Sequence, residues 1–364
     1  MTTASLQIAV PKESAPGERR VALVPDIVAR FLKAGHAVTV ERGAGAGAAI
    51  PDAAFEAAGA QLADGAGVFA GAGVVCRVRP PTVTEAQALP SGATLICFFQ
   101  AKRDAEVLGV LKSRQVTVLS MDNVPRLTMA QSMDALSSQA SVAGYEAALI
   151  GAAHSVRFLP MLVTAAGTLP PATVLVLGAG VAGLMAIATA RRLGANVRAF
   201  DVRPEVKQEV ESLGAVFVAA EAVSADARAE QGYAKAVGEE LKQKQEAALA
   251  RHVAESDVVI TTAQVRLGRA PELITRAMVE TMKPGSVIVD LAAETGGNCA
   301  ITRPGETFVH QGVTIVGPLD VPSRLPLHAS QMYGRNLFNL VTHLTRGGAF
   351  ALDDADAIVK AMRL

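Results

Sequence analysis

The chain is poor in the features that announce a partner or a metal. It has only three cysteines in 364 residues, Cys76, Cys97 and Cys299, scattered and without CxxC spacing. That pattern argues against a disulfide framework and against a zinc site, so no bound metal is expected and a reducing compartment is. Net charge is also lacking, because 34 basic and 34 acidic residues cancel; nothing in that balance draws the chain to nucleic acid or to an anionic membrane. No internal repeat or low-complexity tract stands out. Met1–Val10 does not pair a basic region with an apolar segment, so no signal peptide and a cytoplasmic location are expected. Charge is missing again from 158 to 190, a length that would suit a membrane span. Pro160, Pro170, Pro171 and four glycines interrupt that stretch, and a buried strand, turn and helix explain it without insertion into a bilayer.

Apolar residues are plentiful: they make up 50% of the chain, enough for two domains with substantial cores. The most informative stretch is Val174-Leu175-Val176-Leu177 followed by Gly178-Ala179-Gly180-Val181-Ala182-Gly183. A β-branched run, G-x-G-x-x-G, a small-residue helix to Leu193, a second strand Asn196–Phe200 and then Asp201 form the full dinucleotide-binding layout. Gly178 permits the tight turn, Gly180 lets the backbone approach a pyrophosphate, and Gly183 lets the helix pack on the strand, with free N–H groups at the helix start. Asp201 is placed to accept hydrogen bonds from an adenosine ribose and favours NAD over NADP. Arg203 argues mildly the other way. A glycine-rich turn without ligand is the bland alternative.

Ahead of this unit, Leu6–Val10, an amphipathic helix through Ile27, Phe31 and Leu32, and Ala37–Glu41 open the chain as strand, loop, helix, strand. Gly43–Gly47 resembles a phosphate loop without its Lys-Ser/Thr ending and is read as a turn. Helices over Asp52–Ala58, Ala63–Phe69 and Ala105–Lys112 alternate with strands over Gly73–Val78, Leu95–Phe99 and Val116–Ser120, which implies a parallel sheet covered on both faces. Between the two units lies Pro125–Gln139, with Arg126, Gln131, Asp134 and Ser137. Such a density of polar groups suits a ligand, and taken alone it reads equally as a capped, solvated helix start. Ala140–Val156 continues as a long helix.

Beyond the fingerprint, Glu205–Leu213 reads as a helix and Val216–Val218 as a strand, and the charged run Ala225–Leu249 as a surface loop and exposed helix, with Gly232-Tyr233 in its first part. Asp257–Thr262, Ser286–Leu291 and Val313–Val316 are strands. Two of them end at ligand-side loops, Thr261–Gln264 and Asp290–Asn298, and an apolar helix His328–Leu344 is expected to pack back on the first domain. The expected fold is α/β: two Rossmann-like domains with mainly parallel sheets flanking a nucleotide-binding cleft, residues 1–136 with 327–364 and residues 137–326.

On Arg126–Gln139, Gly178–Gly183 with Asp201-Val202-Arg203, Gly232-Tyr233-Ala234-Lys235 and Met282–Asn298, the chain resembles the NAD(H)-binding domain of proton-translocating nicotinamide nucleotide transhydrogenase, over essentially its whole length. That resemblance implies a Re/Si-specific subunit alpha that passes hydride from NADH to NADP⁺ held on a partner subunit, with proton translocation in membrane-spanning subunits. It also implies a homodimer and a location peripheral to the inner membrane through those partners. Residue 364 would then mark an end of the subunit or of the piece in hand. By the same resemblance Arg126, Gln131, Asp134 and Ser137 position the nicotinamide; Tyr233 belongs to a loop that closes over nucleotide; and Val181, Ala182, Asp201, Val202, Arg203, Gly232 and Gln264 line the cofactor. The family more usually has leucine at the position of Gln264.

Alanine dehydrogenase shares the architecture and is the alternative. Oxidative deamination needs acid/base groups beside the nicotinamide, and that enzyme takes a lysine and a histidine from its first domain. The surroundings here read Cys76-Arg77-Val78-Arg79-Pro80 and Cys97-Phe98-Phe99-Gln100, and the six histidines, His36, His154, His252, His310, His328 and His343, lie elsewhere. Transfer between two nicotinamides releases no substrate proton and needs no base, only proximity and orientation.

Overall fold

The computed structural model describes residues 5–218, 249–265 and 268–364. The charged run over 225–248, with Gly232 and Tyr233, lies outside them. The chain forms two compact units, residues 1–139 with 322–364 and residues 140–321.

The first unit is built on six short strands: β1 (Gln7–Val10), β2 (Ala37–Glu41), β3 (Gln61–Ala63), β4 (Val74–Cys76), β5 (Thr94–Cys97) and β6 (Thr117–Ser120). They pair in the order β3-β2-β1-β4-β5-β6, parallel throughout. Ile8, Val74, Val75, Leu95 and Ile96 are fully buried, as expected of strands covered on both faces. The order reverses between β1 and β4, which is where an open α/β sheet leaves a crevice beyond its strand ends.

The C-terminal helices Pro326–Leu344 and Ala357–Met362 belong to this unit's core. Tyr333, Leu337, Leu340, Val341, Ile358 and Met362 pack with Phe31, Val40 and Leu119. The buried Tyr333 hydroxyl donates to the Arg77 carbonyl at 2.7 Å, so the aromatic ring is buried without an orphaned polar end.

The second unit repeats the plan. Its strands are β7 (Leu162–Thr164), β8 (Gly167–Leu169), β9 (Thr173–Leu177), β10 (Asn196–Phe200), β11 (Val216–Phe217), β12 (Val258–Thr261), β13 (Val287–Asp290), β14 (Thr307–His310) and β15 (Val313–Val316). The main sheet runs β11-β10-β9-β12-β13-β15-β14, parallel except for β14. Leu175, Val176 and Leu177 have no exposed surface, each contributing about 1.5–3 kcal/mol by burial. Here the order reverses between β9 and β12, paired from Val174↔Val258 to Leu177↔Thr261.

Some elements differ from the sequence reading. The expected helix Ala63–Phe69 is the end of β3 followed by a 3₁₀ turn, Gly65–Phe69. Gly65 has φ +47°, which no α-helix contains. The stretch 158–172 holds a small antiparallel hairpin, β7 with β8, and its apolar residues face outward: Phe158, Met161 and Val163 are 59%, 59% and 74% exposed. No helix among the described residues is long and apolar enough to cross a membrane.

Candidate nucleotide site

In the second unit, three glycines shape the turn after β9. Gly178 has φ +100°, the left-handed region that favours glycine. Gly183 sits so close to that turn that a Cβ on it would lie 1.8 Å from the Gly178 carbonyl oxygen. Thr262, just beyond β12, donates its hydroxyl to the same carbonyl at 3.0 Å, which ties the two sides of the switch point together. Gly180 differs from its neighbours: a Cβ there would meet nothing within 4 Å.

Gly180 also caps the helix Val181–Arg192 without a side-chain hydrogen bond. The first backbone N–H groups of such a helix have no intrahelical acceptor and carry its positive dipole end. An open glycine beside uncapped amides fits the diphosphate of a dinucleotide. Val181 is exposed and Ala182 half-buried at this end.

Asp201 follows β10 and is 8% exposed. One carboxylate oxygen, Oδ2, accepts from the Ala179 N–H at 2.7 Å and from Arg203 Nη2 at 2.9 Å. The other accepts from the Arg203 N–H at 2.9 Å and from Arg203 Nε at 3.0 Å. Asp201 therefore braces the glycine turn through Ala179, and its hydrogen bond to Arg203, more than its charge alone, raises the guanidinium pKa further. Val202 and Arg203 are half-buried beside it.

The loops after β12 and β13 are joined by residues that the sequence reading had not assigned. Asn298, fully buried, accepts from the Ala263 N–H at 3.0 Å and donates to the Ala263 carbonyl at 2.8 Å and to the Pro271 carbonyl at 2.7 Å. Asp290, also fully buried, accepts five hydrogen bonds: from the Thr261 and Thr302 hydroxyls and from the N–H groups of Ala292, Asn298 and Cys299. Gln264 is exposed and anchored by its amide to the Leu291 carbonyl at 3.0 Å. The readable signal for this hub was an acid ending a buried strand, followed by Gly296-Gly297-Asn298.

In the first unit, Arg126 and Gln131 are exposed, Gln131 within the 3₁₀ segment Thr128–Met133. Asp134 directly precedes the helix Ala135–His154 and accepts from the Ser137 N–H at 3.0 Å and the Ser137 hydroxyl at 2.6 Å. Asp134 and Ser137 thus come together as a helix cap, so the capped helix start is real whatever else the segment does. The segment is held from behind by Asn336, whose amide donates to the Ser132 carbonyl at 2.9 Å and whose oxygen accepts the Ser138 hydroxyl at 2.8 Å.

The crevice at this unit's own switch point is filled by its own charges. The buried Glu13 carboxylate, beyond β1, accepts from the N–H groups of Val78 and Arg79 beyond β4, at 2.6 and 3.2 Å. Arg77, with no exposed surface, lies 3.7 Å from Glu13 and 3.1 Å from Glu85. Burial raises the Glu13 carboxyl pKa, against the pull of Arg77 and the two amides. The neighbouring thiols are inert, burial pushing that of Cys76 up to about 12.

Two Rossmann-ordered sheets, one of them bearing a glycine turn and a carboxylate suited to an adenosine dinucleotide, define a two-domain nucleotide-binding α/β protein. The models for the N-terminal and C-terminal domains of alanine dehydrogenase/PNT match residues 9–143 and 147–364. The chain belongs to the alanine dehydrogenase/PNT family. It is 47% identical over 344 residues to an NAD(P) transhydrogenase subunit alpha chain of Rhodospirillum rubrum, spanning 93% of this chain and 90% of that one. The crystal structure of transhydrogenase from Sinorhizobium meliloti matches with a TM-score of 0.89 at 43% identity, over 98% of each chain. Alanine dehydrogenase of Mycobacterium tuberculosis is more distant, 32% identical over 309 residues, 84% of this chain and 77% of that one.

Proposed function

We propose that this chain is the NAD(H)-binding alpha component of a proton-translocating transhydrogenase, passing hydride from NADH to NADP⁺ held by a separate partner subunit. The observation that carries this reading is the contrast between two sheets of one strand order. The second unit keeps an open glycine turn at its switch point. The first fills the equivalent place with Glu13 and Arg77 and offers no lysine or histidine pair for deamination. The family resemblance and the degree of identity with transhydrogenase alpha subunits point the same way.

Bound NAD(H) would supply a hydride from its nicotinamide ring. Gly180 and the helix amides beyond it would hold the diphosphate, Gly178 and Gly183 the turn, and Asp201 with Arg203 the adenosine ribose. Val181, Ala182, Val202 and Gln264 would line the cofactor, with Gly232 and Tyr233 closing over it. Arg126, Gln131, Asp134 and Ser137 would orient the nicotinamide. Because a hydride passing between two such rings leaves no substrate proton behind, these residues need only orient and exclude water.

The outward-facing apolar hairpin β7–β8 supports a homodimer, since a ribbon this short is marginal on its own. Proton translocation would lie in membrane-spanning partner subunits, with this chain cytoplasmic and peripheral to them. The test is to mix the purified chain with an NADP(H)-binding transhydrogenase domain and follow reduction of an NAD analogue. Hydride exchange is expected there, with none when alanine and NAD⁺ are supplied to the chain alone. Turnover of alanine without exchange would instead make it an amino-acid dehydrogenase.

A further inference from the structure

The Asp201 carboxylate has about four acceptor positions, and four donors take them: Ala179 N–H, Arg203 N–H, Arg203 Nε and Arg203 Nη2. Two of the four come from one guanidinium in a fork, the strong bidentate form of the pair. The residue placed to receive ribose hydroxyls is therefore already saturated, and the one cation beside it is already engaged. Backbone donors are fixed by the turn; only the guanidinium, on a side chain 26% exposed, is free to give way.

We propose that Arg203 is a specificity-determining residue that acts by masking Asp201, so that choice between NAD(H) and NADP(H) is a competition for one guanidinium. A ribose with two free hydroxyls takes acceptor positions that Arg203 vacates, and its carboxylate partner stays anchored by Ala179. A 2′-phosphate takes Arg203 itself and leaves a buried carboxylate facing a dianion, which disfavours it. Asp201 thus rejects the phosphate in two ways, by its charge and by holding the arginine away. This inference rests on the reading that the glycine turn holds the adenosine half of NAD(H).

Four proteins decide it: wild type, Arg203→Ala, Asp201→Asn and the double variant, each titrated with NADH and NADPH by nucleotide fluorescence. Arg203→Ala is expected to tighten NADH severalfold and weaken NADPH, because the carboxylate is unmasked. Asp201→Asn keeps an oxygen for Ala179 and releases the arginine, so NADPH binding should improve about 10- to 100-fold, the worth of one charge-assisted hydrogen bond. In the double variant most of that gain should vanish, a coupling that independent residues would not show.

Equal NADPH binding by Asp201→Asn and the double variant would overturn the proposal, as would weaker NADH binding by Arg203→Ala, which would make the arginine a simple cofactor contact. Should Asp201→Asn not fold, as judged by its melting transition, the Arg203→Ala result alone keeps the sign test. Wild type that binds neither nucleotide would overturn the nucleotide-site reading itself, and with it this inference.

Discussion

Asn298 grips Ala263 by both of its backbone groups, donating to the carbonyl at 2.8 Å and accepting from the N–H at 3.0 Å. This is the pairing two strands make, supplied by one side chain. It fixes the loop beyond β12 next to the glycine turn, where Thr262 bonds the Gly178 carbonyl. Asn298→Asp keeps the shape, removes both donors and sets a carboxylate against the Ala263 and Pro271 carbonyls. A loss of about 3 kcal/mol in denaturant unfolding is expected, together with weaker NADH binding. Unchanged values of both would show that the grip holds nothing.

Gly183 and Gly180 separate a requirement of the fold from a requirement of the ligand. A methyl on Gly183 would lie 1.8 Å from the Gly178 oxygen, whereas one on Gly180 meets no atom within 4 Å. Gly183→Ala should lose about 3 kcal/mol or more by overpacking. Gly180→Ala should change stability by about 0.5 kcal/mol at most yet weaken NADH by tenfold or more, about 1.4 kcal/mol. Melting curves and nucleotide titrations on the two variants check the contrast.

Asn336 braces the polar segment without being part of it. It bonds the Ser132 carbonyl and the Ser138 hydroxyl, on either side of Asp134 and Ser137. If that segment orients the nicotinamide, Asn336→Leu should slow hydride exchange about 10- to 100-fold through misplacement and change the Kd for NADH much less. Rates and affinities that fall together would mean a general loss of structure. Alanine at Arg126 or Gln131 should likewise affect transfer more than binding.

The buried ion pairs of the first unit give it a predictable acid limit. Burial pushes the Glu18 carboxyl up, but Arg20, through its guanidinium and backbone N–H, and then Arg79 pull it to a net position below its ordinary 4.5. A carboxyl that is lower in the folded state contributes stability above the ordinary value and loses it as pH falls through the lowered one. Glu18→Gln, which leaves Arg20 buried without its partner, should destabilise by about 3–5 kcal/mol at pH 7. The deficit relative to wild type should shrink below pH 4.5. A deficit that is constant with pH, measured by denaturant unfolding at pH 7 and pH 4, would remove Glu18 from the acid limit.

The β-branched runs at Val174–Leu177, Val258–Thr261 and Val287–Asp290 were legible because buried parallel strands have little choice of residue. The glycine turn was legible because its spacing is set by close approach. What escaped the sequence reading was held together over distance. Asn336 meets Ser132 and Ser138 across most of the chain, and Glu13 meets Val78 only once β1 and β4 are neighbours. No local pattern encodes either pairing. The hairpin β7–β8 escaped for another reason, because its apolar side chains face solvent and read as buried. The helix Val83–Ala88 was missed despite a local sign, the capping box of Thr82 and Glu85.

Asp290 has one more consequence, in time rather than in space. The amides of Ala292, Asn298 and Cys299 belong to a loop, yet each ends on a carboxylate with no exposed surface. Amide protons held this way open only with the core beneath them. In deuterated water this loop should exchange on the slow clock of β13, not on the fast clock of the surface. The ligand side of the second unit would then be as old, proton for proton, as its sheet.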